Sequence, residues 1–73
     1  MKNIKIERVY FREPTHIRTK NETRPERVVS CERYTLKMES TGWLLVISPC
    51  GRHTLIPAYN ITSIVEVKDE PSQ

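Results

Sequence analysis

Two cysteines and two histidines are the residues of this chain whose types could bind a metal ion. They are Cys31, Cys50, His16 and His53. Zinc sites in small domains use close pairs of such ligands, about two to five residues apart within each pair. No pair of cysteines and no pair of histidines has that spacing here, so the sequence predicts no metal site. Both cysteines are expected to be free thiols in a reducing cytoplasm.

Cys50 and His53 lie close enough in sequence to suggest a thiol nucleophile and its base. A catalytic cysteine also needs a group that orients the base, and usually an oxyanion hole. The sequence indicates neither of these. The carboxylates alternate with arginines, as in Glu7-Arg8 and Glu32-Arg33, which is typical of solvated surface pairs. We therefore expect no enzyme and no cofactor.

Positive charge is concentrated in the first half of the chain. Residues 1–40 contain ten Lys and Arg against six Asp and Glu, whereas residues 41–73 contain two against three. Arginine can bind phosphate or carboxylate through two hydrogen bonds, and aromatic rings among the cations could stack on bases. The candidate partner-binding residues are Arg8, Tyr10, Phe11, Arg12, Arg18, Lys20, Arg24 and Arg27, and the same basic stretch continues to Arg33. In the competing interpretation, the cations only confer solubility and the rings belong to the core.

The composition is that of one small globular domain. The chain has 73 residues, of which 37% are hydrophobic and 29% charged, and its net charge is +3. No apolar run approaches the roughly 20 residues of a membrane span, and the N-terminus lacks the apolar segment of a secretory signal. A domain of this size buries only about 60% of its unfolded surface. The composition therefore favours a cytoplasmic binding module over an enzyme with a deep active site.

Alternation of apolar and polar residues predicts five strands. A break in that alternation at Val9–Phe11 predicts either a bulge or a switch of the covered face, and Pro57 suits the start of a 3₁₀ turn before the last strand. The segment 13–27 has two prolines and no periodicity, so it is predicted to be a long basic loop. Residues 69–73 are predicted to be a polar tail. The predicted strands are 3–12, 28–39, 43–47, 53–56 and 61–67.

These elements predict a single, mainly β domain over residues 1–68. It would be either a small five-stranded antiparallel sheet or an SH3-like barrel, in which closure removes the exposed edges. Such folds bind peptides, proteins and nucleic acids, so the fold alone leaves the function open. The predicted core consists of Ile4, Ile6, Leu36, Met38, Trp43, Leu45, Ile47, Ile56, Val65 and Val67.

The whole chain resembles the small RNA-polymerase-binding transcription regulators of lytic Xanthomonas phages. The resemblance lies in its length, in its basic and apolar halves, and in the opening Met1-Lys2-Asn3-Ile4-Lys5-Ile6-Glu7-Arg8-Val9-Tyr10-Phe11. It implies a non-enzymatic protein in the bacterial host's cytoplasm that binds the N-terminal region of the polymerase β′ subunit near the RNA exit channel. It also implies inhibition of promoter-specific initiation and suppression of intrinsic termination, helped by the host factor NusA. A basic segment at that place could contact nascent RNA.

Two other classes of function stay open from the residues alone. One is a small β-barrel protein that binds RNA or DNA directly, with an affinity that falls steeply as salt rises. The other is a phage structural or assembly protein. None of the three classes requires a membrane or a small-molecule substrate. Capture of the β and β′ subunits would distinguish the polymerase-binding regulator from the other two.

Overall fold

Two small antiparallel sheets form the protein. A computed structural model describes residues 5–67, and within them no helix is long and apolar enough to cross a membrane. The first sheet has the strand order β2-β1-β6 and the second the order β3-β4-β5. The elements are β1 (Ile6–Arg18), β2 (Thr23–Ser30), β3 (Thr35–Met38), β4 (Leu44–Ile47), β5 (His53–Ile56), a 3₁₀ turn (Ala58–Asn60) and β6 (Ile61–Glu66).

The predicted β class and the 3₁₀ turn before the last strand are confirmed. The predicted strand count and closure are wrong: residues 5–67 form six strands in two separate sheets, rather than five in one sheet or in a closed barrel. The extra strand arises because the predicted strand 28–39 is wrong: a turn at residues 31–34 divides it, so that its first residues end β2 and residues 35–38 form β3. Each sheet therefore keeps two open edges.

The prediction of a long basic loop over residues 13–27 is wrong. β1 runs on to Arg18 and β2 begins at Thr23, so most of the segment forms a hairpin. Its two prolines suggest a loop because proline has no backbone N–H to donate to a sheet. Both lie at positions where a sheet does not need that donor. Pro14 falls in a stretch where the β1–β2 register shifts, and Pro25 lies on β2, an edge strand. We call this element, β1 with β2, the basic hairpin.

β1 is the central strand of the first sheet, and it is irregular between Tyr10 and Thr15. The predicted bulge has a counterpart in a register shift between Tyr10 and Phe11 in the pairing with β6. The side chains nevertheless keep alternating, since Val9 and Phe11 are buried and Tyr10 is exposed. The side chain of Asn60 forms hydrogen bonds with this irregular stretch of β1, where the pairing with β2 is interrupted. Its Oδ1 accepts a hydrogen bond from the Glu13 N–H at 3.2 Å, and its Nδ2 donates to Thr15 Oγ1 at 2.6 Å. The 3₁₀ turn thereby fastens the bend of β1.

The core joins the two sheets. Each sheet contributes apolar side chains from one face, and Tyr34 from the turn after β2 adds to them. The partly buried Ile6, Leu36 and Ile61 pack against this cluster. The buried members are Val9, Phe11, Ile17, Val29, Tyr34, Leu44, Val46 and Ile56.

Several predicted core positions are confirmed and others are wrong. Ile56 is buried, and Ile6 and Leu36 pack on the core. Leu45, Ile47 and Val65 are only partly covered. Met38, Trp43 and Val67 are exposed, Trp43 to 42%. Ile4 lies outside the described residues.

The error on β4 has a simple physical cause. Its residues are apolar on both faces, so periodicity cannot choose the face that points inward. Leu44 and Val46 are fully buried, which turns the predicted pair Leu45 and Ile47 to the other face. Trp43 precedes the strand and stays in the turn.

Candidate functional site

The candidate residues from the sequence spread over the basic hairpin and do not gather in one loop. Arg8 and Tyr10 lie near one end, where Arg8 Nη1 donates to the Tyr10 hydroxyl at 3.2 Å. Arg18, Lys20 and Arg24 lie around the turn at the other end. The hairpin therefore has two separate basic regions.

Phe11 is not available to a partner. Its side chain is only 5% exposed and belongs to the core cluster, because alternation along β1 turns it inward together with Val9. Phe11 is therefore a core residue, and its prediction as a partner-binding residue is wrong. Tyr10 lies between them on the opposite face and is partly exposed.

Arg12 and Arg27 belong to neither basic region. Arg12 Nε donates to the backbone carbonyl of Tyr59 at 3.1 Å, so this side chain holds the 3₁₀ turn against β1. Arg27 lies exposed along the edge strand β2.

The turn of the basic hairpin borders a concavity of about 360 Å³. We call it the basic concavity. Its cationic lining consists of Lys20, Arg24 and Arg33, and Ser48 and Cys50 lie on its opposite wall. These residues come from three segments: the basic hairpin, the turn between β2 and β3, and the turn between β4 and β5. The fold thus brings Arg33 beside two cations of the basic hairpin, and the turn between β4 and β5 beside all three.

Strand pairing directs Arg24 toward this concavity. Arg24 pairs with Ile17 across the basic hairpin, and directly paired residues of an antiparallel ladder share a face. Ile17 is fully buried against the core. Arg24 is therefore on the face of the first sheet that meets the second sheet, at its outer end.

Two hydrogen bonds connect the basic hairpin to the second sheet beside the concavity. The Arg18 N–H donates to Thr54 Oγ1 at 3.0 Å, and Arg52 Nη2 donates to the backbone carbonyl of Lys20 at 3.4 Å. Both join β1 or its turn to β5 or its turn. They fix the separation between the cationic wall and the wall that carries Cys50.

The cations of the concavity have no carboxylate partner. Within residues 5–67, the one salt bridge joins Arg8 and Glu7 at 3.2 Å, and both side chains are exposed. Glu26, which neighbours Arg24 on β2, accepts a hydrogen bond from the Tyr34 hydroxyl at 3.4 Å. Burial, with a further contribution from Glu26, raises the pKa of Tyr34, so the phenol stays protonated as that donor.

The turn between β4 and β5 shapes the wall that holds Cys50. Ser48 N–H donates to the Arg52 carbonyl at 2.9 Å, Gly51 N–H donates to the Ser48 carbonyl at 2.8 Å, and Gly51 has a φ of 93°. This is a type I turn followed by a glycine in the left-handed region, which is common in short hairpins. The geometry brings the Ser48 hydroxyl within 3.2 Å of the Cys50 sulfur.

The hydrogen bond from Ser48 lowers the pKa of the Cys50 thiol, and partial burial opposes that effect. The backbone N–H groups of Arg52 and Cys50 and the positive charge of Arg52 also lower the pKa. Donors and a nearby cation stabilise the thiolate over the thiol. An exposed thiol with a lowered pKa therefore lines the same concavity as three cations.

We expect Ser48→Ala to raise the pH at which Cys50 reacts. The variant removes the donor with the largest effect on the thiolate, so a higher pH is needed for the same thiolate fraction. The measurement is the rate of alkylation by iodoacetamide against pH, followed at each cysteine by mass spectrometry. Cys31, on the turn after β2, is an exposed free thiol in the same chain and serves as the internal control. An unchanged midpoint for Cys50 would contradict this assignment.

The histidines and cysteines that could bind a metal ion or act as nucleophile and base do not come together in one site. His16 lies in β1 and His53 in β5, and both cysteines are exposed. Among residues 5–67, no three His, Cys, Asp or Glu side chains form a group that could hold a metal ion.

A second surface has a different character. Edge strands β3 and β6 border a groove of about 540 Å³. Its apolar lining is Ile6, Leu36, Met38 and Ile64, and Lys37, Glu39 and Glu66 supply its charge. The exposed Met38 and Ile64 thus lie beside edge strands with free backbone groups.

Sequence reasoning found the basic stretch but missed the wall opposite it. Ser48, Cys50 and Arg52 lie in a turn whose Pro and Gly are visible in the sequence. Nothing in the sequence places this turn beside Lys20. Comparison with known proteins adds no relative: no family model matches the chain, and no curated protein or solved structure shows detectable similarity to it.

Proposed function

We propose that this protein is a phage-encoded, non-enzymatic regulator that binds host RNA polymerase. In this proposal it binds the N-terminal region of β′ near the RNA exit channel, inhibits promoter-specific initiation and suppresses intrinsic termination with help from NusA. The observation that carries the proposal is the basic hairpin, whose turn presents cations without carboxylate partners. The whole-chain resemblance supplies the identity of the partner.

The charge arrangement suits a partner that carries negative charge. Lys20 and Arg24 of the basic hairpin and Arg33 of the next turn line one concavity, and arginine binds phosphate or carboxylate groups through paired hydrogen bonds. RNA leaving the exit channel presents a row of phosphates, and their contact with basic residues releases bound counterions. A regulator at that place gains affinity from the transcript as well as from the polymerase.

The open sheet edges support a protein partner in addition. Antiparallel strands at an edge can add an extended segment of another chain through backbone hydrogen bonds. Here β3 and β6 are both edges and both border the groove with the exposed Met38 and Ile64. Neither the concavity nor the groove needs a catalytic group to be effective.

Direct binding of nucleic acid, without polymerase, is the second candidate function. The three cations of the basic concavity favour it, because unpaired arginines and lysines bind phosphate regardless of sequence. In that case free single-stranded RNA binds as tightly as RNA presented by polymerase.

The test is affinity capture with purified Xanthomonas core polymerase and holoenzyme, with and without NusA. We expect stoichiometric capture of core polymerase, reduced run-off product from holoenzyme and increased read-through of an intrinsic terminator. A small basic protein of equal net charge is the control for nonspecific adsorption. No capture at physiological salt would overturn the proposal, and tight binding of free RNA without polymerase would favour the second candidate.

A further inference from the structure

The cations of the basic concavity repel one another unless an anion joins them. Lys20, Arg24 and Arg33 line one space, and none of the described residues that line it is acidic. Like charges at close range raise the energy of the free protein. Glu22, Glu26 and Glu32 lie close to these cations in sequence, but none of the three acids lines the concavity or forms a salt bridge with its cations.

The chemistry of the lining selects the anion. Two guanidinium groups offer flat, paired donors, and an ammonium group adds a compact charge. A concavity of about 360 Å³ holds roughly a dozen waters at about 30 Å³ each, which is room for a phosphate group with part of its hydration. We infer that the basic concavity is a phosphate-binding site formed by Arg24, Arg33 and Lys20. This inference deepens the proposed function, on which its biological setting rests.

A phosphate bound in the basic concavity should change the reactivity of Cys50. Cys50 lies beside the same space, and its pKa is lowered by the Ser48 hydroxyl. A phosphate in the concavity places negative charge near the thiolate, which favours the protonated thiol. Binding also covers the sulfur. Both effects slow the reaction of Cys50 with thiol reagents, so the protein carries its own reporter of site occupancy.

The experiment measures alkylation of the two cysteines by neutral iodoacetamide at fixed pH and constant ionic strength. Replacing chloride with inorganic phosphate is expected to slow Cys50 by about threefold to tenfold at saturation. The exposed Cys31, which lies outside the concavity, keeps its rate. A parallel series with single-stranded RNA lacking terminal phosphates tests the phosphodiester as the source of the group.

Two double variants test whether the protection of Cys50 depends on the cations of the basic concavity. The double variant Arg24→Gln/Arg33→Gln is expected to lose the protection of Cys50. The matched control Lys5→Gln/Lys37→Gln removes the same charge at exposed positions outside the concavity and keeps the protection. All four side chains are exposed, so both variants should fold, and a thermal melt checks this.

The outcomes separate the two sources of phosphate. Protection by RNA at concentrations far below those needed for inorganic phosphate supports a phosphodiester site, and the reverse supports a site for a small free phosphate. Absence of protection by both, or equal loss of protection in the two double variants, would overturn the site. The assay contains no polymerase, so its result is independent of the capture experiment: protection without capture leaves the site standing and removes the proposed partner.

Discussion

Leu44→Ala is expected to lower the free energy of unfolding by about 3 kcal/mol, whereas Trp43→Ala lowers it by less than about 1 kcal/mol. Leu44 is fully buried between the two sheets, and Trp43 is 42% exposed. A chain of this length has a total stability of only about 4–11 kcal/mol, at the usual 0.05–0.15 kcal/mol per residue. The first change therefore removes a large share of the fold's stability.

Urea denaturation followed by circular dichroism measures both values, because this signal does not depend on the single tryptophan. The two positions are adjacent, so the pair is a direct test of which face of β4 points inward. A larger loss for Trp43 than for Leu44 would mean that the strand has the opposite phase. It would also return Trp43 to the core that the sequence alone predicted.

Replacement of Arg18, Lys20 and Arg24 with serine is expected to weaken binding to a transcribing polymerase at low salt by at least about tenfold. These residues surround the turn of the basic hairpin, and all three are exposed or partly exposed. Surface changes usually alter stability by within about 0.5 kcal/mol, so the melting temperature should stay nearly constant. The loss comes from missing phosphate contacts.

The salt dependence of binding identifies that mechanism. Each phosphate contact with a single strand contributes about 0.7 to the slope of log affinity against log salt, so three lost contacts reduce the slope by about 2. The control Lys5→Gln, which removes an exposed cation outside both the basic concavity and the groove, should leave the slope unchanged. If the triple variant binds and regulates as the unmodified protein does, the hairpin turn is only a solvated connection. The exposed Tyr10 and the 80% exposed Tyr59 would then be the next residues to test.

The sequence predicts most local features of this fold because their causes are local. Alternating residues, the two glycine turns and Pro57 lead to the strands, hairpins and 3₁₀ turn that the structure contains. The failures have non-local causes. Pro14 and Pro25 look like loop residues until their places in an irregular central strand and on an edge strand are known, and β4 has no polar residue to mark its outer face.

The candidate site also has a part that the sequence predicts and a part that depends on the fold. The basic residues of the hairpin stand out from composition and order alone. The concavity depends on Arg33 and Cys50 meeting Lys20 across two turns, which follows only from the arrangement of the two sheets. Phe11 lies among the arginines in sequence and yet in the core in space, because neighbours along a strand point to opposite faces.

The central position of β1 determines the order in which the protein can fold. β1 pairs with β2, its neighbour in sequence, and also with β6, where Ile6 lies opposite Glu66. The second sheet consists of two successive short hairpins, whose contacts close small loops and form early. During synthesis, one side of β1 therefore remains unpaired until residues 61–66 have left the ribosome. The first sheet is completed last, and an unpaired strand edge is the form of the chain most prone to association in the interval.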